Sequence, residues 1–118
     1  MNLQQFILKY VESVDHLRAL LLLRSELGRF WSVMELSARL YLEPGRAAEV
    51  LASLQNAGLL RERGTEYRYD PAGPELARLV EELEQLDRER PVTLIKLIYS
   101  RPGTLETFAD AFRLRRDD

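Results

Sequence analysis

The sequence contains no cysteine. That absence excludes a disulfide scaffold and every cysteine-based zinc site, and it suits a reducing compartment. There is one histidine, His16. With no cysteine and no second histidine, neither a nucleophile–base pair nor a histidine-rich metal site can be assembled. Neither the G-x-G-x-x-G fingerprint nor a P-loop occurs. The longest apolar run, Ala19 to Leu23, falls far short of a bilayer span, so no membrane association is expected. The opening residues, Met1 to Phe6, lack a basic n-region and an apolar h-region. No signal peptide is expected, and the protein is read as cytoplasmic. Positive charge is not in excess either: 17 Lys+Arg stand against 19 Asp+Glu, a formal net charge of −2. Nucleic-acid binders usually carry a basic excess or a basic face, so any such face here must be local.

What is present is the makeup of a folded domain. The 118 residues, 46% apolar and 31% charged, fit one globular domain over 1–118 with a single core. The cations are 15 Arg and only 2 Lys, Lys9 and Lys96. Coding preference is the simpler reading of that bias, and phosphate recognition by arginine is the functional one.

Leu3, Phe6, Ile7, Tyr10 and Val11 recur at helical spacing and predict a short leading helix. Ser13 is placed to cap a second helix, with Asp15 in its first turn, running to about Leu27 with Gly28 just beyond it. Leu17, Leu20 to Leu23 and Leu27 make that helix apolar on more than one face, so it should be central. Ser32-Val33-Met34-Glu35 fits a capping box, and Trp31 and Leu36 have the spacing of a hydrophobic staple. A third helix is therefore expected from Val33 to Leu40 or Tyr41. Pro44 suits the first position of a fourth, whose buried stripe is Ala47, Val50, Leu51 and Leu54 and whose end is marked by Gly58.

Residues 59 to 70 read as a hairpin with a type II′ turn at Gly64-Thr65. In that register Arg63 faces Glu66, Glu62 faces Tyr67, Arg61 faces Arg68 and Leu60 faces Tyr69. After the turn-rich Asp70 to Pro74, a long helix runs to about Arg90 with a seam of Leu76, Leu79, Val80, Leu83 and Leu86. Pro91 restarts the chain into an apolar segment, Val92 to Tyr99. Arg101-Pro102-Gly103 is a turn, and Thr104 caps a last expected helix carrying Leu105, Phe108, Ala109 and Phe112. The fold class is α+β, mostly α. Residues 15 to 70 have the element order of a winged helix-turn-helix, flanked by extra N- and C-terminal helices over 1–12 and 74–118.

The stretches Met34-Glu35-Leu36-Ser37-Ala38-Arg39-Leu40 and Leu51 through Leu60, with the Leu54-x-x-x-Gly58-Leu59 step, resemble the winged-helix pattern of MarR-type regulators. Ser13-Val14-Asp15-His16-Leu17, Tyr67-Arg68-Tyr69-Asp70-Pro71 and Phe108-Ala109-Asp110-Ala111-Phe112 resemble a group of small uncharacterised bacterial proteins. The first resemblance implies a transcription regulator, dimeric through its terminal helices. Two departures stand out: Tyr41 occupies the turn position where glycine is common, and Glu49 lies where those regulators often place arginine.

On that reading the 44–56 helix would enter the major groove and the 59–70 wing would lie on phosphate. The candidate contacts are Arg39, Arg46, Ser53, Gln55, Asn56, Arg61, Arg63 and Arg68. Arginine contacts to phosphate release counterions and supply affinity, and side-chain donors to base edges supply specificity. Like charges placed opposite, as Arg61 and Arg68 are, cost stability unless an anion sits between them. That anion would be a phosphate, or Glu62 or Glu66 reaching across; otherwise both arginine side chains simply point to water.

The alternative is an adaptor that binds another protein and not duplex DNA. Residues 1–60 carry six basic and six acidic side chains, and the 75–90 helix carries six acids against three arginines. Both balances disfavour a DNA surface. No enzyme activity, cofactor or metal is expected. His16 reads as a helix-start or core residue, and Trp31, Phe108 and Phe112 read as packing groups and not as a ligand pocket.

Overall fold

Among the described residues three helices open on side-chain caps and three on proline. The structure, a computed structural model, describes residues 1–100. The helix expected to begin at Thr104 lies outside the described residues. Asn2, Ser13 and Ser32 each accept a backbone N–H at the start of α1 (Leu3–Tyr10), α2 (Val14–Ser25) and α3 (Val33–Leu40). Pro44, Pro74 and Pro91 stand at the first position of α4 (Pro44–Asn56), α5 (Pro74–Glu89) and α6 (Pro91–Tyr99). Proline costs least there, because its missing N–H would have no partner inside the helix. At α3 the expected capping box is complete. The Glu35 N–H donates to Ser32 Oγ at 3.0 Å, and the Ser32 N–H donates to Glu35 Oε1 at 2.9 Å.

Among the described residues the fold is thus α+β and mostly helical, with one three-stranded antiparallel sheet in the order β1-β3-β2. The hairpin β2 (Leu60–Arg63) and β3 (Glu66–Tyr69) has the expected register, from Leu60↔Tyr69 to Arg63↔Glu66. Gly64 has φ +60° while Thr65 does not enter the left-handed region. That is the signature of the II′ turn, which matches the right-handed twist of the strands. The third strand, β1 (Trp31–Ser32), was not expected. Its two residues pair with Tyr67 and Glu66. A two-residue strand has too little alternation to be read from sequence.

Among the described residues one cluster of buried residues runs through the six helices and the sheet. Leu17, Ala19, Leu20 and Leu23 of α2 and Ala47, Val50, Leu51 and Leu54 of α4 belong to it, and the two helices pack on one another. Trp31 and Leu36, the staple pair, are both buried. Leu27 departs from the expectation. α2 stops at Ser25, so Leu27 falls in the following turn and is exposed. The terminal helices α1 and α6 pack on one another and on α5, burying Phe6, Ile7, Leu94 and Ile98 within the same core. No helix of the described residues is long and apolar enough to cross a membrane.

Candidate nucleic-acid interface

The alternation of side chains along a strand sorts the hairpin into two faces. Leu60, Tyr67 and Tyr69 turn inward. Burial raises the pKa of both tyrosines. At Tyr67 the Glu62 carboxylate adds to it, and at Tyr69 the neighbouring Arg24 opposes it. Arg61, Arg63, Glu66 and Arg68 turn outward, as the register requires. Phe30, which precedes β1, lies on the same outer face. The Arg63 guanidinium stacks 3.7 Å from its ring centroid and that of Arg68 lies 5.0 Å away. On the inner side of β1, Arg29 covers the Trp31 ring at 3.6 Å and Arg39 lies 5.5 Å from it. Two arginine–aromatic stacks therefore straddle the edge strand. Stacking holds each guanidinium plane while its rim stays open to hydrogen bonding.

Each of these arginines already has a carboxylate. Arg61 Nε and Arg68 Nη2 lie 3.1 and 3.5 Å from one oxygen of Asp70. The anion between the opposed arginines is thus neither Glu62 nor Glu66 but Asp70, just after β3. Arg63 pairs with Glu66 at 3.8 Å, Arg39 with Glu26 at 3.9 Å, and Arg29 with both Glu26 and Glu35 at 3.1 and 3.0 Å. The Ser32 backbone N–H, followed by the Arg29 guanidinium, holds the Glu35 carboxyl below its ordinary range. Arg29 responds in the opposite sense. Partial desolvation lowers its pKa, but the bonds to Glu26 and Glu35 outweigh that and the group is held above its ordinary value.

Helix α4 departs from the expected reading surface. Arg46, Ser53 and Gln55 were expected to face outward, yet all three are half-buried. Arg46 Nε donates to Asp15 at 3.1 Å and its Nη2 donates to Ser13 Oγ at 3.1 Å, with Glu49 at 3.4 Å. The Ser53 hydroxyl donates to Glu12. These bonds tie α4 to the turn between α1 and α2. Glu12 of that turn and Asp15 in the first turn of α2 form an acidic pair across from the 46–49–53 edge of α4, and this explains the inward turn. Gln55 faces the loop at Asp70–Ala72. Of the α4 candidates only Asn56 is exposed, beside Glu49 and Ala52.

His16 lies in the same first turn of α2 as Asp15. It is buried, its Nδ1 lies 2.7 Å from Ser13 Oγ, and its Nε2 lies 3.4 Å from Glu12 Oε2. The same Ser13 oxygen accepts the His16 N–H at 3.3 Å. These contacts build a helix start. Among the described residues no group of three or more such side chains is arranged to hold a metal ion.

Sequence reasoning brought together the wing arginines but missed Arg29, Phe30 and Asp70. Phe30-Trp31 ahead of the Ser32 cap was the available signal. Two adjacent aromatics entering a helix must take opposite sides if the chain there is extended. Comparison with protein-family models, with curated proteins and with solved structures found no match to the chain.

Proposed function

We propose that this chain is a winged-helix module, of the kind MarR-type proteins contain, that acts as an adaptor contacting another protein and not as a reader of duplex DNA. The observation that carries the reading is the inward anchoring of Arg46 and Ser53. A reading helix needs donors free to reach base edges and phosphates. Here those two side chains are committed to Asp15, Ser13 and Glu12. What α4 leaves outward is Glu49, Ala52 and Asn56, and a carboxylate there repels phosphate. On the neighbouring helix α3, Met34 and Ala38 are exposed at i and i+4, and the exposed Tyr41 caps its end, a set of apolar side chains open to a protein partner.

A second reading rests on a different observation. The Arg63 guanidinium carbon lies over the Phe30 ring, 3.7 Å from its centroid, and Arg61, Arg63 and Arg68 share one outer face. Their ion pairs are exposed and worth at most about 1 kcal/mol each, so a phosphate could displace the carboxylates. In this reading the module would hold the duplex backbone through its wing, as a regulator of transcription.

One titration separates the two. Labelled random-sequence duplex is followed by fluorescence anisotropy at about 50 mM salt, where phosphate-driven association is strong. The adaptor reading expects no binding. Binding that weakens with salt, and weakens further when Arg61, Arg63 and Arg68 are replaced by alanine, overturns it in favour of the wing.

A further inference from the structure

The strand order β1-β3-β2 leaves β2 at the border of the sheet. Antiparallel partners alternate between pairs that exchange both backbone hydrogen bonds and pairs that exchange none. The Asp70 N–H donates to the Leu59 carbonyl at 3.0 Å, which makes 59 and 70 a bonded pair. By alternation Arg61 and Arg63 bond inward to β3, and Leu60 and Glu62 turn their backbone N–H and C=O groups outward. No strand among the described residues takes up that edge. A groove of about 590 Å³ adjoins it, lined by residues 60–62, by Gln55 and Gly58 and by residues 70–72. Such an edge is a template for a further strand.

The side chains along the edge decide which strand fits. Arg61 and Arg63 stand on the outer face, 62% and 67% exposed, and the exposed Glu62 stands between them on the inner face. The outer face holds three arginines against two carboxylates, because Asp70 serves both Arg61 and Arg68 while Glu66 serves Arg63. Exposed pairs of this kind are weak, so Arg61 and Arg63 can take further acids. A second copy of β2 does not fit. Residues directly opposite in an antiparallel pair share a face. A two-fold axis at Arg61, Glu62 or Arg63 therefore sets arginine against arginine, and the middle register also sets Glu62 against Glu62. Like charges so placed are destabilising. The charges guard the edge against its own kind and leave it open to a complementary strand.

We infer that the β2 edge binds an extended segment of another protein, antiparallel to β2, with acids at two alternate positions and a cation between them. The acids lie opposite Arg61 and Arg63, and the cation lies opposite Glu62. The middle residue exchanges both backbone hydrogen bonds with Glu62. Backbone bonds supply the attachment, and the alternating charges supply register and selectivity. This inference rests on the adaptor reading and names the chemistry of a partner.

The probe is a capped peptide with the core Glu-Lys-Glu flanked by threonines, titrated into the full chain at low salt and followed by backbone amide NMR. The Glu62 amide should shift, and its hydrogen exchange should slow. A peptide with the inverted core, Lys-Glu-Lys, should bind at least ~10-fold more weakly, because three cross-strand pairs change sign. N-methylation of the central lysine, whose N–H points at the Glu62 carbonyl, should abolish binding. N-methylation of the first glutamate, whose N–H points away from β2, should leave it in place. Arg61→Glu with Arg63→Glu, both at exposed positions, should reverse the order of the two peptides. No response at Glu62 with millimolar peptide, or equal affinity for the two cores, overturns the inference. A Glu62 shift that grows with protein concentration alone overturns it as well, because it assigns the edge to a second copy. A chain that binds neither peptide nor duplex loses the edge inference and keeps the adaptor reading through α3. Duplex binding sinks the adaptor reading itself, whatever the peptide does.

Discussion

Arg61 and Arg68 stand directly opposite one another in the hairpin and divide a single carboxylate, Asp70, which lies 3.1 Å from one and 3.5 Å from the other. Without that carboxylate two like charges would face each other across the strands. Asp70→Asn keeps the shape and removes the charge, and should cost about 0.5 kcal/mol, discounted for exposure. Adding Arg68→Gln should restore most of the loss. Urea unfolding of the two variants at low salt measures both steps. The gap should close at about 1 M salt, where the Debye length is only about 3 Å.

Tyr41 closes α3 in the left-handed region, at φ 56°, with its side chain 95% exposed. A residue with a Cβ is strained there, and an exposed ring gains little burial in return. Tyr41→Gly should therefore raise stability by about 0.5–1 kcal/mol, the relief of strain exceeding the entropy glycine loses on folding. A higher thermal midpoint is the expected readout. An unchanged or lower midpoint would mean that Tyr41 packs against something its exposure does not reveal.

What was legible in the sequence, and what was not, divides along the range of the interactions. The capping box at Ser32 and Glu35, Pro44 at a helix start and the Gly64 turn are decided within four residues, and each stands where the pattern placed it. The hairpin register followed from the turn alone, because a two-residue loop leaves no slack. The candidate site was legible only in part. Arg61, Arg63 and Arg68 share a face because strands alternate, which is a local rule. Arg46 meets Asp15 across 31 positions and Ser53 meets Glu12 across 41, and no periodicity reports such a meeting. β1 is two residues long, below the length at which alternation carries a signal.

The capping box predicts an acid response. The Ser32 backbone N–H, with Arg29 next, lowers the Glu35 pKa in the folded state. A carboxyl held low in the fold contributes stability that is complete above its unfolded pKa, roughly 4.3. That contribution is lost as the pH falls from there through the folded value. Glu35→Gln should therefore narrow the difference in urea midpoint between pH 7 and pH 3. Ser32→Ala, which removes the other half of the box, should cost about 1 kcal/mol at pH 7.

Arg24 joins α2 to the acidic helix, its Nη1 donating to Glu84 Oε2 at 2.6 Å with both side chains half-buried. Arg24→Met keeps the aliphatic stem and removes the charge. Glu84 retains Arg88 at 3.1 Å, so it is not left bare. The loss should then be about 1 kcal/mol, below the cost of isolating a buried charge. Tyr69 offers an independent readout. Arg24 lowers its pKa against the raising effect of burial, so ultraviolet titration of the phenol should move further upward in the variant.

Arg46 decides between a clamp and a reader. Its guanidinium spans two elements at once, bonding Asp15 and Ser13 at the start of α2 and Glu49 on its own helix. If holding α4 in place is its work, Arg46→Ala should lower stability by about 1 kcal/mol, the scale of a partly exposed charge-assisted bond network. Arg46→Lys should recover only a fraction, since a single ammonium cannot reproduce a fork that reaches two separate acceptors. The Asp15→Asn variant should share the loss, and the double variant should fall short of the sum, because both removals break one contact. A reader predicts another pattern: stability unchanged in Arg46→Ala, additive losses in the double variant, and duplex affinity reduced at low salt. Urea unfolding of the four proteins, set beside duplex titration of the same samples, distinguishes the two patterns. A stable Arg46→Ala variant with weakened duplex binding would return α4 to the role that its sequence position first suggested.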